Sequence, residues 1–388
     1  MINVLEIILK GRISLMASAI PLSATLLFSS AYGSGGSALQ SPREQNNTVI
    51  KTIQILQSRA TTGAAAPELF SQDEERKNNM SKLTKLTKPM PRLPSAIVFS
   101  ESMDGGTFKM CMDLGCATAN MQEDKAAFEA WALCARAAGY VRVELSGNGL
   151  PQASEISKPK RLHYNRFLYR ALRFAEGFAW FALSPDLEQK AKEFESKELL
   201  ENNLFVSAPE CEASLVGNTP EAKKERELIR PRPLDALSNI DVSPKYHSQL
   251  PVGLFYKEVK NEAAIFPGDK AAIDIWGLSG NTFHLVELKV GKASKLGVLS
   301  ETFFYACFVR DMYCRFHLER KASADQIEKN YRGYGELVKA NINSVVAHIL
   351  TEHKRQQLIA AFAVLQECKL DGIRFGNLRT LSELEKRK

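Results

Sequence analysis

The sequence predicts an α/β fold: a mixed central sheet flanked by helices, preceded by a smaller α/β region and a disordered N-terminal arm. Three observations predict it. From about Gln249 onward, strand-like and helix-like stretches follow in the order three strands, helix, strand, helix, strand. Between residues 96 and 200 a shorter alternation of the same kind occurs. Before residue 96 the composition shifts to Ser, Gly, Thr, Lys, Gln and Pro, as in GSGGSALQSPREQNN, which leaves little to bury.

The chain has 388 residues, of which 45% are hydrophobic and 24% charged, so it can bury a sizeable core. A net charge of +7 suits a polyanionic partner without requiring one. The 7 cysteines are odd in number, scattered and without a CxxC pair, which fits reduced thiols in a cytoplasmic protein better than a disulfide framework. Cys314 and His317 lack a second pair to complete a zinc site.

At the N-terminus, MINVLEIILKGR precedes an apolar stretch ending in Ser29-Ser30-Ala31, the outline of a secretory signal. Glu6 within it and Pro21 across it favour an arm over a leader; export is the alternative. The stretch is too diluted for a membrane span. Residues 1–95 are thus read as an arm or leader.

The first folded region covers 96–200. TFKMCMDL (107–114) and YVRVELSG (140–147) alternate as strands around a helix, EDKAAFEAWALCARAAG (123–139), that ends on a glycine suited to a C-cap. The segment 158–183 reads as a basic, aromatic helix. Lys160, Arg161, Arg166, Arg170 and Arg173 are candidate nucleic-acid contacts on it, or simply the wet face of an amphipathic helix. Ser184-Pro185 opens a further helix, with Ser at the N-cap and Pro at the first turn. A short helix, EAKKERELI, follows.

The C-terminal region, 220–388, carries the chemistry. LPVGLFYKEV, AAIDIWG and TFHLVELKV read as strands, the last two joined by a Gly/Asn hairpin turn. A long amphipathic helix (295–320), a strand (344–350), a helix (352–369) and a strand (372–376) complete it. Glu287 and Lys289 stand two apart in an apolar strand and so share one face. Folding the hairpin about Ser279 sets Asp274 opposite or diagonal to Glu287. Two close carboxylates repel unless a cation binds. Mg²⁺ or Mn²⁺ resolves that conflict, because Mg²⁺ takes one or two carboxylates with water and phosphate oxygens. Lys289 beside them can orient a water and stabilise developing negative charge. Glu301 and Tyr305, spaced i,i+4 on the next helix, share a face that can close over this patch.

"AAIDIW…HLVELKV" followed by "SETFFY" resembles the PD-(D/E)XK nuclease superfamily, the restriction-endonuclease-like fold, over about residues 220–378. The resemblance implies that Asp274 and Glu287 bind the metal, that Lys289 assists the water, and that Glu301 stands where some members carry Gln, four residues before Tyr305. It also implies an acid on a preceding helix, for which Glu225 and Glu227 compete. Ile273 rather than Pro precedes Asp274, and Asp269 in "FPGD" is a rival for the first acid. Asp274 is preferred for its strand context, since Asp269 fits a solvated turn. Glu-x-Lys alone says little, recurring at Glu123/Lys125, Glu188/Lys190, Glu195/Lys197 and Glu258/Lys260. Lys270, Lys292 and Lys295 near the hairpin are further candidate nucleic-acid contacts.

No Walker A loop, GxGxxG, HExxH or GxSxG occurs in the sequence, which argues against the common ATPase, dinucleotide, zincin and hydrolase classes. The expectation is a metal-dependent nuclease acting on nucleic acid, DNA foremost, in defence, repair or mobile-element biology. The alternatives are a non-catalytic nucleic-acid-binding module on the same fold, or an exported nuclease effector. His284, on the strand face away from Glu287, is expected to be a packed core histidine.

Overall fold

A computed structural model describes residues 93–103, 105–200, 203–209, 219–229, 246–268, 271–291, 296–316 and 324–385. The arm or leader up to residue 92, Cys211, Asp269, His317 and the lysines 270, 292 and 295 lie outside them.

The architecture is mixed α/β, with mixed sheets flanked by helices. The N-terminal layer is a sheet ordered β1(Val98–Glu101)-β2(Thr107–Met112)-β3(Arg142–Gly147)-β4(Phe181–Leu183). β1 runs antiparallel to β2, and β2, β3 and β4 are parallel. Helices α1 (Phe128–Ala137) and α2 (Lys160–Gly177) connect them, and α3 (Pro185–Phe194) begins at the expected Ser184-Pro185. Helix α4 (Pro220–Ile229) precedes the C-terminal layer.

The main sheet has the order β11(Ile373–Thr380)-β10(Ser344–Thr351)-β9(Thr282–Lys289)-β8(Ala272–Ser279)-β6(Tyr246–Pro251). Its β6-β8-β9 half is antiparallel and its β9-β10-β11 half parallel. The antiparallel half follows from a two-residue turn in which Gly280 adopts φ +56, a region that favours glycine. The parallel half requires crossovers, and α5 (Gly297–Val309) and α6 (Gln356–Leu365) supply helices for them. A terminal helix, α7 (Leu381–Glu385), follows β11.

Three differences from the sequence reading have clear causes. LPVGLFYKEV forms two strands rather than one: β6 joins the main sheet, while β7 (Leu254–Tyr256) pairs with β5 (Leu204–Val206). The break falls at Gly253, where a Cβ would stand 2.9 Å from the Gly268 backbone, so two chain segments cross there. Helix α5 is not amphipathic. All its residues are buried, as expected for a helix apolar on every side and packed between layers. It passes into a wider π turn at Arg310–Arg315.

The third difference concerns α2. Arg166, Arg170 and Arg173 do not line a wet face; they are 3%, 2% and 0% exposed. Arg170 Nε donates to Glu129 at 2.7 Å, with a second hydrogen bond from Nη2 to the same carboxylate. Arg173 is bonded to Asp311, Glu176 and Glu195, and Tyr169 donates to Asp311 at 2.9 Å. Arginine is suited to such buried pairing because its planar fork matches a carboxylate. Apolar residues from Ile97 to Phe375 form one continuous core, with α1 packed against α5 and α6, so the two layers share an interior.

Candidate active site

β9 runs through the middle of the main sheet, buried from Phe283 to Leu288. Side chains alternate along it. Phe283 and Leu285 enter the core shared with α5, whereas Val286 and Leu288 join a separate cluster on the other face. Glu287 and Lys289 therefore continue the α5 face just where the strand ends.

The hairpin register pairs Ile275 with Val286 and Trp276 with Leu285. Continued by one residue, it sets Asp274 opposite Glu287. The Leu288 N–H donates to Asp274 Oδ2 at 3.0 Å, which fixes that carboxylate at the end of the ladder. Lys289 Nζ stands 2.7 Å from Glu287 Oε1 and 3.1 Å from Glu301 Oε2, with Glu221 of α4 at 3.5 Å. Tyr305 donates to Glu301 Oε1 at 3.3 Å, the i,i+4 pair foreseen on α5. The structure thus brings Asp274, Glu287, Lys289, Glu301 and Tyr305 to one place.

Helix α4 adds acids. Glu225 is buried and accepts from Gln249 Nε2 at 2.9 Å, and the Asp274 charge acts on it. Glu227 is largely exposed and pairs with Lys224, so of the two rivals Glu225 faces the site.

Charge does not balance here. Lys289 is surrounded by Glu287, Glu301, Asp274 and Glu221, with Glu225 adjoining. Burial, then repulsion from Asp274 and Glu301, holds Glu287 well above the usual carboxylate range. Burial pushes Asp274 up to about 6, with Glu301 adding to it and Lys289 opposing. Burial and then Asp274 push Glu225 up to about 7. Burial alone would lower Lys289, but Glu287, Glu301 and Asp274 together hold it protonated far above neutrality. Burial, then Glu301, raises the Tyr305 hydroxyl, so it is a donor at any physiological pH. With no other cation, Glu287 keeps its proton.

Gln122 is a site residue that no motif pointed to. It lies in the N-terminal layer, yet its Nε2 donates to Glu301 Oε1. Its carbonyl also lies so close to Gly297 that a Cβ there would approach it to 2.8 Å. One residue therefore holds both the start of α5 and the carboxylate one turn on. Such a contact spans 179 positions, and no local pattern announces it. Arg166 stands behind, its guanidinium 5.7 Å from the Phe304 ring centroid and acting electrostatically on Tyr305 and Glu301.

Lys160 is exposed and Arg161 half-buried at the start of α2. Among the described residues no group of three or more His, Cys, Asp or Glu side chains forms a ready-made metal cage. A cation held by two carboxylates plus water needs no such cage. Glu287 Oε2 is buried without a hydrogen-bond partner, as is Glu225 Oε1, so unused acceptor capacity exists where charge is in excess. The donor set fits a hard divalent cation. No helix among the described residues is long and apolar enough to cross a membrane. No protein-family model, curated protein or solved structure matches this chain.

Proposed function

We propose that the protein is a metal-dependent nuclease of the PD-(D/E)XK type that hydrolyses phosphodiester bonds of nucleic acid, DNA foremost. The observation that carries the reading is the buried excess of carboxylates around Lys289, with Glu287 Oε2 lacking a partner. Burying such an excess is costly unless a cation or protons neutralise it. A fold maintained only for binding a polyanion gains nothing from a buried negative cluster.

Asp274 and Glu287 would hold the divalent cation, Mg²⁺ or Mn²⁺. When bound, that ion supplies Lewis-acid polarisation of the phosphodiester and of a water. Lys289, kept charged by its neighbours, orients that water and stabilises charge developing on phosphorus-bound oxygen. Glu301 and Tyr305 hold Lys289 in place through the 3.1 Å ion pair and the 3.3 Å hydrogen bond. The floor of the site is strand rather than loop, so its carboxylates are held by sheet packing.

Incubating wild type and Lys289→Ala with plasmid, linear DNA and RNA, in Mg²⁺ or EDTA, tests this. Cleavage by wild type in Mg²⁺, lost in EDTA and reduced about a hundredfold or more in Lys289→Ala, is expected. Equal activity of the two proteins, or cleavage insensitive to EDTA, would sink the mechanism. Binding without cleavage of any substrate would favour a non-catalytic nucleic-acid-binding module.

A further inference from the structure

The opposite face of the main sheet is divided in two. At one end Ile275, Val286, Leu288 and Leu350 are covered by Leu228 of α4 and by Leu381 and Leu384 of α7. At the other end the same face turns polar. Register places Ser279 beside Thr282 and Thr282 beside Ser344, so three hydroxyls stand in a row across β8, β9 and β10. The Thr282 and Ser344 hydroxyls are 2.9 Å apart. The next row on this face runs from His284 to Val346 to Arg374. Partners in register share a face, as do residues two apart, so these groups all project the same way.

They border a solvent-open cleft of about 410 Å³. None of its lining residues is acidic, and Arg374 at its rim is exposed. Behind it, the His348 ring lies parallel to that of His284 with centroids 5.8 Å apart. His348 Nδ1 accepts the Asn377 N–H at 3.2 Å, so its proton sits on Nε2. That nitrogen is buried without a hydrogen-bond partner among the described residues. Gly376 makes room, since a Cβ there would meet the His348 ring at 2.5 Å. Burial first, then His284, Arg374 and Arg379, lowers His348 to about 3.

We propose that this cleft is a second binding site, for a phosphate group, held by Arg374 and by the hydroxyls of Thr282, Ser344 and Ser279. A guanidinium paired with hydroxyl donors and no competing carboxylate is the chemistry that recognises a phosphate. The volume admits more than a bare phosphate and lies in the range of small-molecule sites. The phosphate could belong to a free mononucleotide or to a nucleic-acid backbone. The site is on the other face of β9 from Glu287, and its existence does not depend on the nuclease reading.

Calorimetric titration of the full chain, in EDTA, with inorganic phosphate, a nucleoside monophosphate and a short single-stranded oligonucleotide tests it. Saturable binding of at least one probe, weakened about tenfold or more in Arg374→Ala with an unchanged melting temperature, is the expected result. Tightest binding of the monophosphate identifies a free ligand; binding of the oligonucleotide alone identifies a backbone. Should Arg374→Ala not fold, Thr282→Val, which removes one hydroxyl at constant shape, must weaken binding severalfold. Absence of saturable binding by all three probes overturns the proposal. So does wild-type affinity in a folded Arg374→Ala, or in Thr282→Val where that variant has to stand in.

Discussion

At the scale of single residues, Asp274 makes the sharpest statement about energetics. Its folded-state acidity is shifted up to about 6, against an ordinary value near 4. The folded protein therefore holds a proton that the unfolded chain has released at intermediate pH. The linkage sign follows: stability from this group is full below about pH 4 and is lost as pH rises through about 6. Glu225, raised to about 7, adds in the same direction. Asp274→Asn keeps an oxygen to accept the Leu288 N–H while removing the charge. Urea unfolding in EDTA should find the variant about 1–3 kcal/mol more stable than wild type at pH 8, with the difference shrinking by pH 5. An equal difference at both pH values would show that Asp274 carries no strained charge.

At the same scale, Asp274, Glu287 and Lys289 were legible because strand alternation and a two-residue hairpin are short-range rules. Asp274 opposite Glu287 needed only the turn at Gly280. The buried arginines were not legible. Arg170 and Arg173 have the spacing of a solvated stripe, and their carboxylate partners Glu129 and Asp311 lie far off in sequence.

At the scale of elements, α5 determines the site as much as β9 does. Its docking depends on Gly297, where no side chain fits beside the Gln122 carbonyl. Gly297→Ala must displace helix or loop and should cost about 1–3 kcal/mol in chemical unfolding. Gln122→Ala should cost less stability yet reduce turnover, because it frees the Glu301 carboxylate from its N-terminal donor. Steady-state kinetics would show the loss in kcat rather than KM, with Gln122→Glu failing to restore it. Unchanged turnover in Gln122→Ala would make the contact merely structural. Periodicity predicted the ends of these elements well where turn residues marked them, as at Ser184-Pro185 and Gly280. It misread the character of α5, because buried charged residues such as Glu301, Arg310 and Asp311 mimic a polar face.

At the scale of the whole molecule, the two layers are joined by one core and by a polar network centred on Asp311. Arg173 and Tyr169 of α2 meet Asp311 on the π turn after α5, and Arg310 pairs with the same carboxylate. Breaking one member leaves the others buried and uncompensated. Arg173→Ala should therefore cost about 3–5 kcal/mol. It should do so in a single transition seen alike by tryptophan fluorescence and circular dichroism. Two separated transitions in wild type would mean that the layers unfold independently. Sequence suggested two regions in succession, since the connecting segments are polar and proline-rich. The shared interior could not be read there, because it depends on which apolar faces meet.

On the proposed function, the carboxylates around Lys289 form a cation site. Titration of Mn²⁺ into metal-free protein, followed by the loss of the free-ion paramagnetic resonance signal, tests it without reference to any substrate. A saturable site in wild type, weakened about tenfold or more in both Asp274→Asn and Glu287→Gln, is expected. Indistinguishable Mn²⁺ binding by wild type and both variants would contradict it.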